Sequence, residues 1–307
     1  MTDILTGFAV IAVAIGVGWA LARAGIVRGD DRLVLNRVAF FAASPTLLFT
    51  VLARADVRAV FSRSLLTHAT AVLIVGTVLF VTMRALGSRG TGPLLMASYC
   101  GIYSNANNIG LPVAVYVLGD GSLVAPLLVL QLVVLAPLLM GVLDAQAPGG
   151  VRWQRVVSQP VRNPIVLGSA LGVVWSAWAL PQPSWLMLPL ELVGGAAVPL
   201  MLIAFGISLV GQKPLQPGTG RRDVGLASVG KLVLLPVCVY ALGTWVFGLG
   251  PEQRYAATVL AALPSAQNMY QYALRYRVGE LVARDTILVT TVLSLPVCVA
   301  LAALLHP

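Results

Sequence analysis

Long apolar runs separated by short polar joints organise the chain. Ten such runs follow one another, at roughly Ile4 to Ala22, Leu33 to Ala53, Leu65 to Leu86, Pro93 to Leu118, Leu123 to Leu143, Asn163 to Leu180, Leu188 to Val210, Leu226 to Leu249, Tyr255 to Tyr276 and Thr286 to Leu305. A helix needs about 20 mostly apolar residues to cross the hydrocarbon core of a bilayer, so the pattern predicts an all-α membrane protein with ten transmembrane helices. The longest joints, AQAPGGVRWQRVVSQPVR and GQKPLQPGTGRRD, are Pro- and Gly-rich loops too short for a soluble domain. The opening run carries Asp3 where a signal peptide would carry Lys or Arg, and it is too long for a signal sequence; it is expected to be a retained first span.

Two runs break the pattern from within. The fourth reads SYCGIYSNANNIGLPVAVYVLG and the ninth contains ALPSAQNMYQY, each a cluster of amides and hydroxyls beside a proline. Proline lacks the backbone N–H and clashes with the carbonyl four residues earlier, so Pro112 is expected to free the carbonyl of Asn108, and Pro264 that of Leu260. Such gaps survive in a bilayer only where protein or a water-filled cavity covers them. The fourth and ninth spans are therefore predicted to be broken helices meeting near the midplane. Half-helix N-termini favour anions, and neutral amides add donors without burying a cation, so the clusters suit a carboxylate.

Proline landmarks also suggest a duplication. ASPTLLF at Pro45 resembles AVPLMLI at Pro199, NIGLPVA at Pro112 resembles AALPSAQ at Pro264, and VLAPLLM at Pro137 resembles LSLPVCV at Pro296. An odd number of spans per half makes the two copies antiparallel, so a 5+5 inverted repeat is expected. Its halves are 1–144 and 163–307, joined by a cytoplasmic linker at 145–162.

Composition agrees, with 58% apolar and 10% charged residues in 307 and a mean hydropathy of +0.90. The net charge of +9 is unevenly distributed: in the ten-span topology fifteen Lys and Arg residues fall in odd-numbered loops and four in even-numbered ones. Cytoplasmic loops retain the positive charges, which predicts a multi-pass protein of the cell membrane with both termini outside the cytoplasm. Arg54, Arg58 and Arg63 in the second loop depart from that rule. No basic patch is interleaved with aromatics, which argues against nucleic acid as a partner. Cys100, Cys238 and Cys298 lie singly in three spans without metal-ligand spacing, and no cofactor or metal is expected. With no GxSxG, no HExxH and only His68 and His306, the chain has no constellation for an enzyme.

The segments LNRVAFFAASPTLLF, NIGLPVAVYVLGDG, RNPIVLGSALG, GGAAVPLMLIAFGISL and ALPSAQNMYQYALRYRVGELVARDTILVTTVLSLP, in that order, resemble the auxin efflux carrier family, which includes plant auxin exporters and bacterial malate and malonate permeases. The resemblance implies a scaffold of helices 1, 2, 6 and 7 and a transport domain of helices 3–5 and 8–10, with helices 4 and 9 crossing at their prolines. It implies a secondary transporter working by an elevator-like displacement, and room for a homodimer through the scaffold. Residues and resemblance together nominate Asn105, Asn107, Asn108, Gly110, Pro112, Pro264, Ser265, Gln267, Asn268 and Tyr272 for substrate binding. Where plant members are apolar, this chain has Asn107, Asn108, Gln267 and Asn268, which points to a small organic anion, a mono- or dicarboxylate, over an indole acid. Glu191 and His68 are the candidates for ion coupling. A substrate-sensing receptor on the same fold and an ion-coupled bile-acid-type symporter are the alternatives, and a channel is a third.

Overall fold

The computed structural model describes residues 2–28, 31–54, 63–88, 90–146, 163–211, 215 and 220–305. Most of the 145–162 linker, Arg58 and Trp153 lie outside them. The described residues form helices α1 (Thr2–Arg23), α2 (Asp31–Arg54), α3 (Arg63–Ala85), α4 (Thr91–Cys100), α5 (106–116) and α6 (Gly121–Ala145). The chain continues through α7 (Pro164–Ala177), α8 (Ser184–Ile207), α9 (Arg221–Trp245), α10 (Pro251–Ala261), α11 (Asn268–Tyr276) and α12 (Glu280–Leu305). Of these, α2, α3, α6, α8, α9 and α12 are long and apolar enough to cross a membrane, while Ala9–Arg23 and Pro164–Ala177 are shorter apolar helices. The fourth and ninth sequence runs each appear as two short helices.

Local chemistry sets the helix ends. Asn163 caps α7 by accepting from the N–H of Ile165 at 2.9 Å, with Pro164 in the first turn, where its missing N–H is harmless. Asp120 likewise accepts from the N–H of Ser122 at 2.8 Å to start α6. Inside the helices the prolines act in an unexpected way. π-Type turns occupy Ala39–Ala43, Ala106–Gly110, Leu130–Leu135 and Gly230–Leu234, and each is followed two residues later by a proline: Pro45, Pro112, Pro137 and Pro236. Widening the turn relieves the clash between the proline ring and the carbonyl four residues earlier. Pro189 and Pro296 sit within helix without such a turn.

This corrects the expectation for Pro112. The helix runs through Pro112 after a π turn, and the break in the fourth run lies upstream, at 101–105. In the ninth run the break spans 262–267 and includes Pro264.

The chain divides into two compact units that interleave along the sequence: 1–62, 107–129 and 158–212 form the first, and 63–106, 130–157 and 213–307 the second. In the first unit α7 packs along α2 and α1 along α8. Glycines allow both approaches. The GSALG segment of α7 lays Gly168 and Gly172 on the α2 backbone, where a Cβ would come within 2.4 Å of the Pro45 carbonyl oxygen and 2.7 Å of that of Phe49. At the other seam a Cβ on Gly206 would come within 2.0 Å of the Ile15 carbonyl oxygen. The GxxxG-like segment thus serves packing inside this unit. Trp175 meets Phe49 edge to face at 5.6 Å, whereas Trp178, Trp185 and Trp245 are exposed, as interfacial anchors are.

In the second unit α3, α4, the second half of α6 and α9–α12 share one core, including Met83, Met96, Leu139, Val239, Ala261 and Met269. Arg63, one of the arginines that depart from the charge rule, donates to the Phe247 carbonyl at 3.4 Å. In the first unit Arg54 pairs with Glu191.

Replacing Gly206 with valine should destabilise the protein by about 1–3 kcal/mol through overpacking, read as a lower melting temperature in detergent. Gly16→Val on α1, where a Cβ meets nothing within 4 Å, should leave it unchanged; equal effects would disprove the close seam.

Candidate functional site

Within the second unit the two helix breaks meet. Residues 101–105 follow α4, residues 262–267 follow α10, and the two segments cross antiparallel with Ser104 opposite Ser265. The N–H of Asn105 donates to the Pro264 carbonyl at 2.8 Å, and the N–H of Ala266 to the Tyr103 carbonyl at 3.0 Å. The pair closes a one-rung ladder between segments 160 residues apart in sequence.

The crossing leaves few orphans. Ser265, fully buried, donates its hydroxyl to the Cys100 carbonyl at the end of α4 and its N–H to Thr290 Oγ1 of α12 at 3.1 Å. The end of α10 is capped from two other helices: Lys231 of α9 donates its ammonium to the Ala261 carbonyl, and the Cys298 thiol of α12 points to the carbonyls of Ala262, at 3.7 Å, and Val259, at 4.0 Å. Tyr103 donates its hydroxyl to the Gln131 carbonyl at 3.2 Å. By contrast, the Ser104 hydroxyl and the Gln131 amide nitrogen are buried without a partner among the described residues.

Of the residues nominated from sequence, Asn105, Pro264 and Ser265 are buried in this crossing, and Gln267 and Asn268 follow half-buried at the start of α11. Tyr272, on α11, packs against the core of the second unit. Asn107, Asn108, Gly110 and Pro112 belong to the first unit. There the Asn107 amide donates to Asn108 Oδ1 at 2.9 Å and points to Met201 Sδ at 3.6 Å, while Gly110 and Pro112 are buried. The coupling candidates are not brought together. Glu191 lies in the first unit, paired with Arg54; His68 lies buried in the second, its Nδ1 at 2.9 Å from the Ser64 carbonyl.

Lys231 is the buried charged residue whose place in its helix the apolar runs misjudge. Counting the eighth apolar run from Leu226 puts Lys231 at its edge, but α9 begins at Arg221, ten residues before the lysine, about 15 Å along the helix at 1.5 Å per residue. The side chain is fully buried, on the π turn Gly230–Leu234. Burying such a group in an apolar interior is costly unless it is hydrogen-bonded, so its capping of a half-helix end is a structural commitment. Asp144 and Asp285 are also buried: Asp144 accepts from the Tyr276 hydroxyl at 2.9 Å, and Asp285 from the Leu215 N–H and Arg284 Nε, each at 2.8 Å.

A cavity of about 430 Å³ opens in the second unit beside α4, lined by Val72, Phe80, Leu95, Tyr99, Ile102 and Leu138 among others. None of the nominated site residues lines it, and its walls suit an acyl chain better than a carboxylate.

A helical, apolar protein with two helix breaks stitched together in its interior belongs to the class of membrane transporters. Comparison with known families agrees: residues 3–145 and 153–301 match the family described as "Membrane transport protein". The chain belongs to this family, the auxin efflux carriers. It is 26% identical over 301 residues, 94% of this chain and 92% of the relative, to "Putative malonate transporter" of Rhizobium meliloti (strain 1021). It is 27% identical over 292 residues, 93% of each chain, to "Uncharacterized transporter" of Methanothermobacter thermautotrophicus. A shorter match, 26% over 149 residues, covers 47% of this chain and 40% of "Probable auxin efflux carrier component 5c" of Oryza sativa subsp. japonica.

Ser265→Ala should destabilise by about 1–3 kcal/mol, because it leaves the buried Cys100 carbonyl without its donor. Thr77→Val, which removes only a hydroxyl bonded back to Leu73 on its own helix, should change stability by about 0.5 kcal/mol or less. Thermal unfolding in nanodiscs compares the two, and an unaffected Ser265→Ala protein would contradict the stitching role.

Proposed function

We propose that the protein is a secondary carrier for a small organic anion, a mono- or dicarboxylate, in the cell membrane, working by an elevator-like displacement of one compact unit against the other. The observation that carries this reading is the crossing of 101–105 with 262–267, where the chain gives up helical hydrogen bonds inside an apolar protein. Interrupted helices held at membrane depth are the usual platform for substrate and coupling sites in secondary transporters. Within the second unit Asn105, Gln267 and Asn268, which follow the two breaks, supply neutral donors for a carboxylate, and Asn107 and Asn108 of the first unit stay candidate donors from the sequence. The buried, unpartnered hydroxyl of Ser104 adds another.

The second unit, holding the crossing, is the proposed transport body, and the first, with α1, α2, α7 and α8, the proposed scaffold, through which a homodimer would form. Five-helix halves of opposite orientation, with both termini outside the cytoplasm, complete the proposal. It is supported by the distribution of Lys and Arg and by the two breaks, one in each half of the sequence. The relative named as a malonate transporter supports malonate as the first substrate to try.

Uptake of labelled malonate, malate and indole-acetate into proteoliposomes tests the reading. Saturable flux of at least one dicarboxylate is expected, with Asn108→Ala and Asn268→Ala each lowering kcat/KM about tenfold, the equivalent of one lost hydrogen bond to a charged group. Flux that never saturates would identify a channel, and binding without flux a sensor; either result refutes the carrier.

A further inference from the structure

A crossing of two broken helices has an electrostatic problem for an anion carrier. Each break creates one helix N-terminus, carrying about half a positive charge, and one C-terminus, carrying about half a negative charge. The C-termini of α4 and α10 both end at this crossing, and left bare they would repel the ligand that the N-termini attract.

The two ends are treated differently. The Cys100 carbonyl of α4 takes a neutral hydroxyl from Ser265. The α10 end takes a lysine: Lys231, with 0% of its surface exposed, places its side-chain nitrogen on the Ala261 carbonyl, three residues before Pro264 and four before the Ser104–Ser265 rung. No carboxylate pairs with it among the described residues. Among the described residues the ion pairs are Arg54–Glu191 and Arg284–Asp285, and the side chains beside the lysine include the Cys298 thiol and the His68 imidazole. The π turn at Gly230–Leu234 brings Lys231 to this position within α9, and π turns inside helices commonly mark functional positions. In the rung itself, the Ser104 hydroxyl, 1% exposed, has no partner among the described residues.

We propose that Lys231 is the built-in countercharge of the crossing: its ammonium outweighs the negative end of α10 and makes the site select its ligand by negative charge, without a dissolved metal cation at that helix end. The inference rests on the organic-anion reading above and adds to it the residue that sets charge preference. Lys231 acts through the helix end and is a positioning residue, with no contact to substrate implied. A dicarboxylate should gain most from it, since its second charge is felt only where the surroundings carry a net positive potential.

The test is competition in proteoliposomes, comparing malonate, its monomethyl ester and malonamide as inhibitors of labelled malonate uptake. In the unaltered protein malonate should compete best and malonamide worst. Lys231→Met should shrink the malonate-to-monoester preference by about tenfold, about 1.4 kcal/mol by the usual conversion, whereas Lys231→Arg should keep it. A Lys231→Met protein that melts lower but retains the full preference would show a cap of purely structural value and overturn the proposal. If the methionine variant does not fold, the unaltered protein still decides: malonate uptake should run at the same rate with choline in place of sodium. An obligatory sodium requirement would mean that a dissolved cation serves the crossing, which also overturns it. Failure of the underlying reading looks different, since the unaltered protein would then show no saturable uptake of any anion.

Discussion

Inside a bilayer the lipid offers no partner to a backbone N–H or carbonyl, so an interruption of a helix must be answered by protein or by a water-filled cavity. The rung between Ser104 and Ser265 is the answer here, and the rest of the second unit follows from it. Two breaks that would each strand several polar groups instead satisfy one another through Asn105 with Pro264 and Ala266 with Tyr103. Other carbonyls draw donors from the break itself and from two more helices, as Ser265, Lys231 and Cys298 reach Cys100, Ala261 and Ala262. Thr290 of α12 takes the N–H of Ser265. Neither break is tenable without the other, so segments far apart in the sequence are bound to the same core.

That mutual dependence gives the site its character. An ordinary transmembrane seam is closed by small residues, as Gly168, Gly172 and Gly206 close the seams of the first unit. The crossing is closed by hydrogen bonds, which leaves side-chain groups such as the Ser104 hydroxyl and the Gln131 amide directed into the interior. Polar groups without partners are costly in an apolar interior, and a ligand able to accept from them recovers that energy. The apolar cavity beside α4 is lined by none of these groups, so it is a space apart from the crossing.

Much of this was legible in the sequence. Apolar runs of membrane length are a one-dimensional signal, kept by six of the described helices, and the family resemblance agrees with the family match. Prolines misled where they were treated as breaks. Pro112 is absorbed by a π turn and the helix ends twelve residues earlier, at Cys100, because a widened turn relieves the ring clash at lower cost than breaking the helix. Lys231 was misread for a related reason. Run boundaries drawn by hydropathy begin where polar residues stop, at Leu226, whereas the helix begins at Arg221, and those five residues carry Lys231 from the edge of an apolar run to well inside a helix. The rung itself had no sequence signal, since the pairing of Ser104 with Ser265 is a property of the fold.

The claim on which the account rests is that the crossing is a place a dissolved anion reaches and occupies. Reactivity of a single cysteine at position 267, beside the rung, measures this most directly, in a protein whose three native cysteines are replaced by serine or alanine. The account predicts modification of Gln267→Cys by a membrane-impermeant thiol reagent, slowed in proportion to added malonate and unaffected by malonamide. A cysteine there that never reacts, or that reacts at a rate no anion changes, would contradict it.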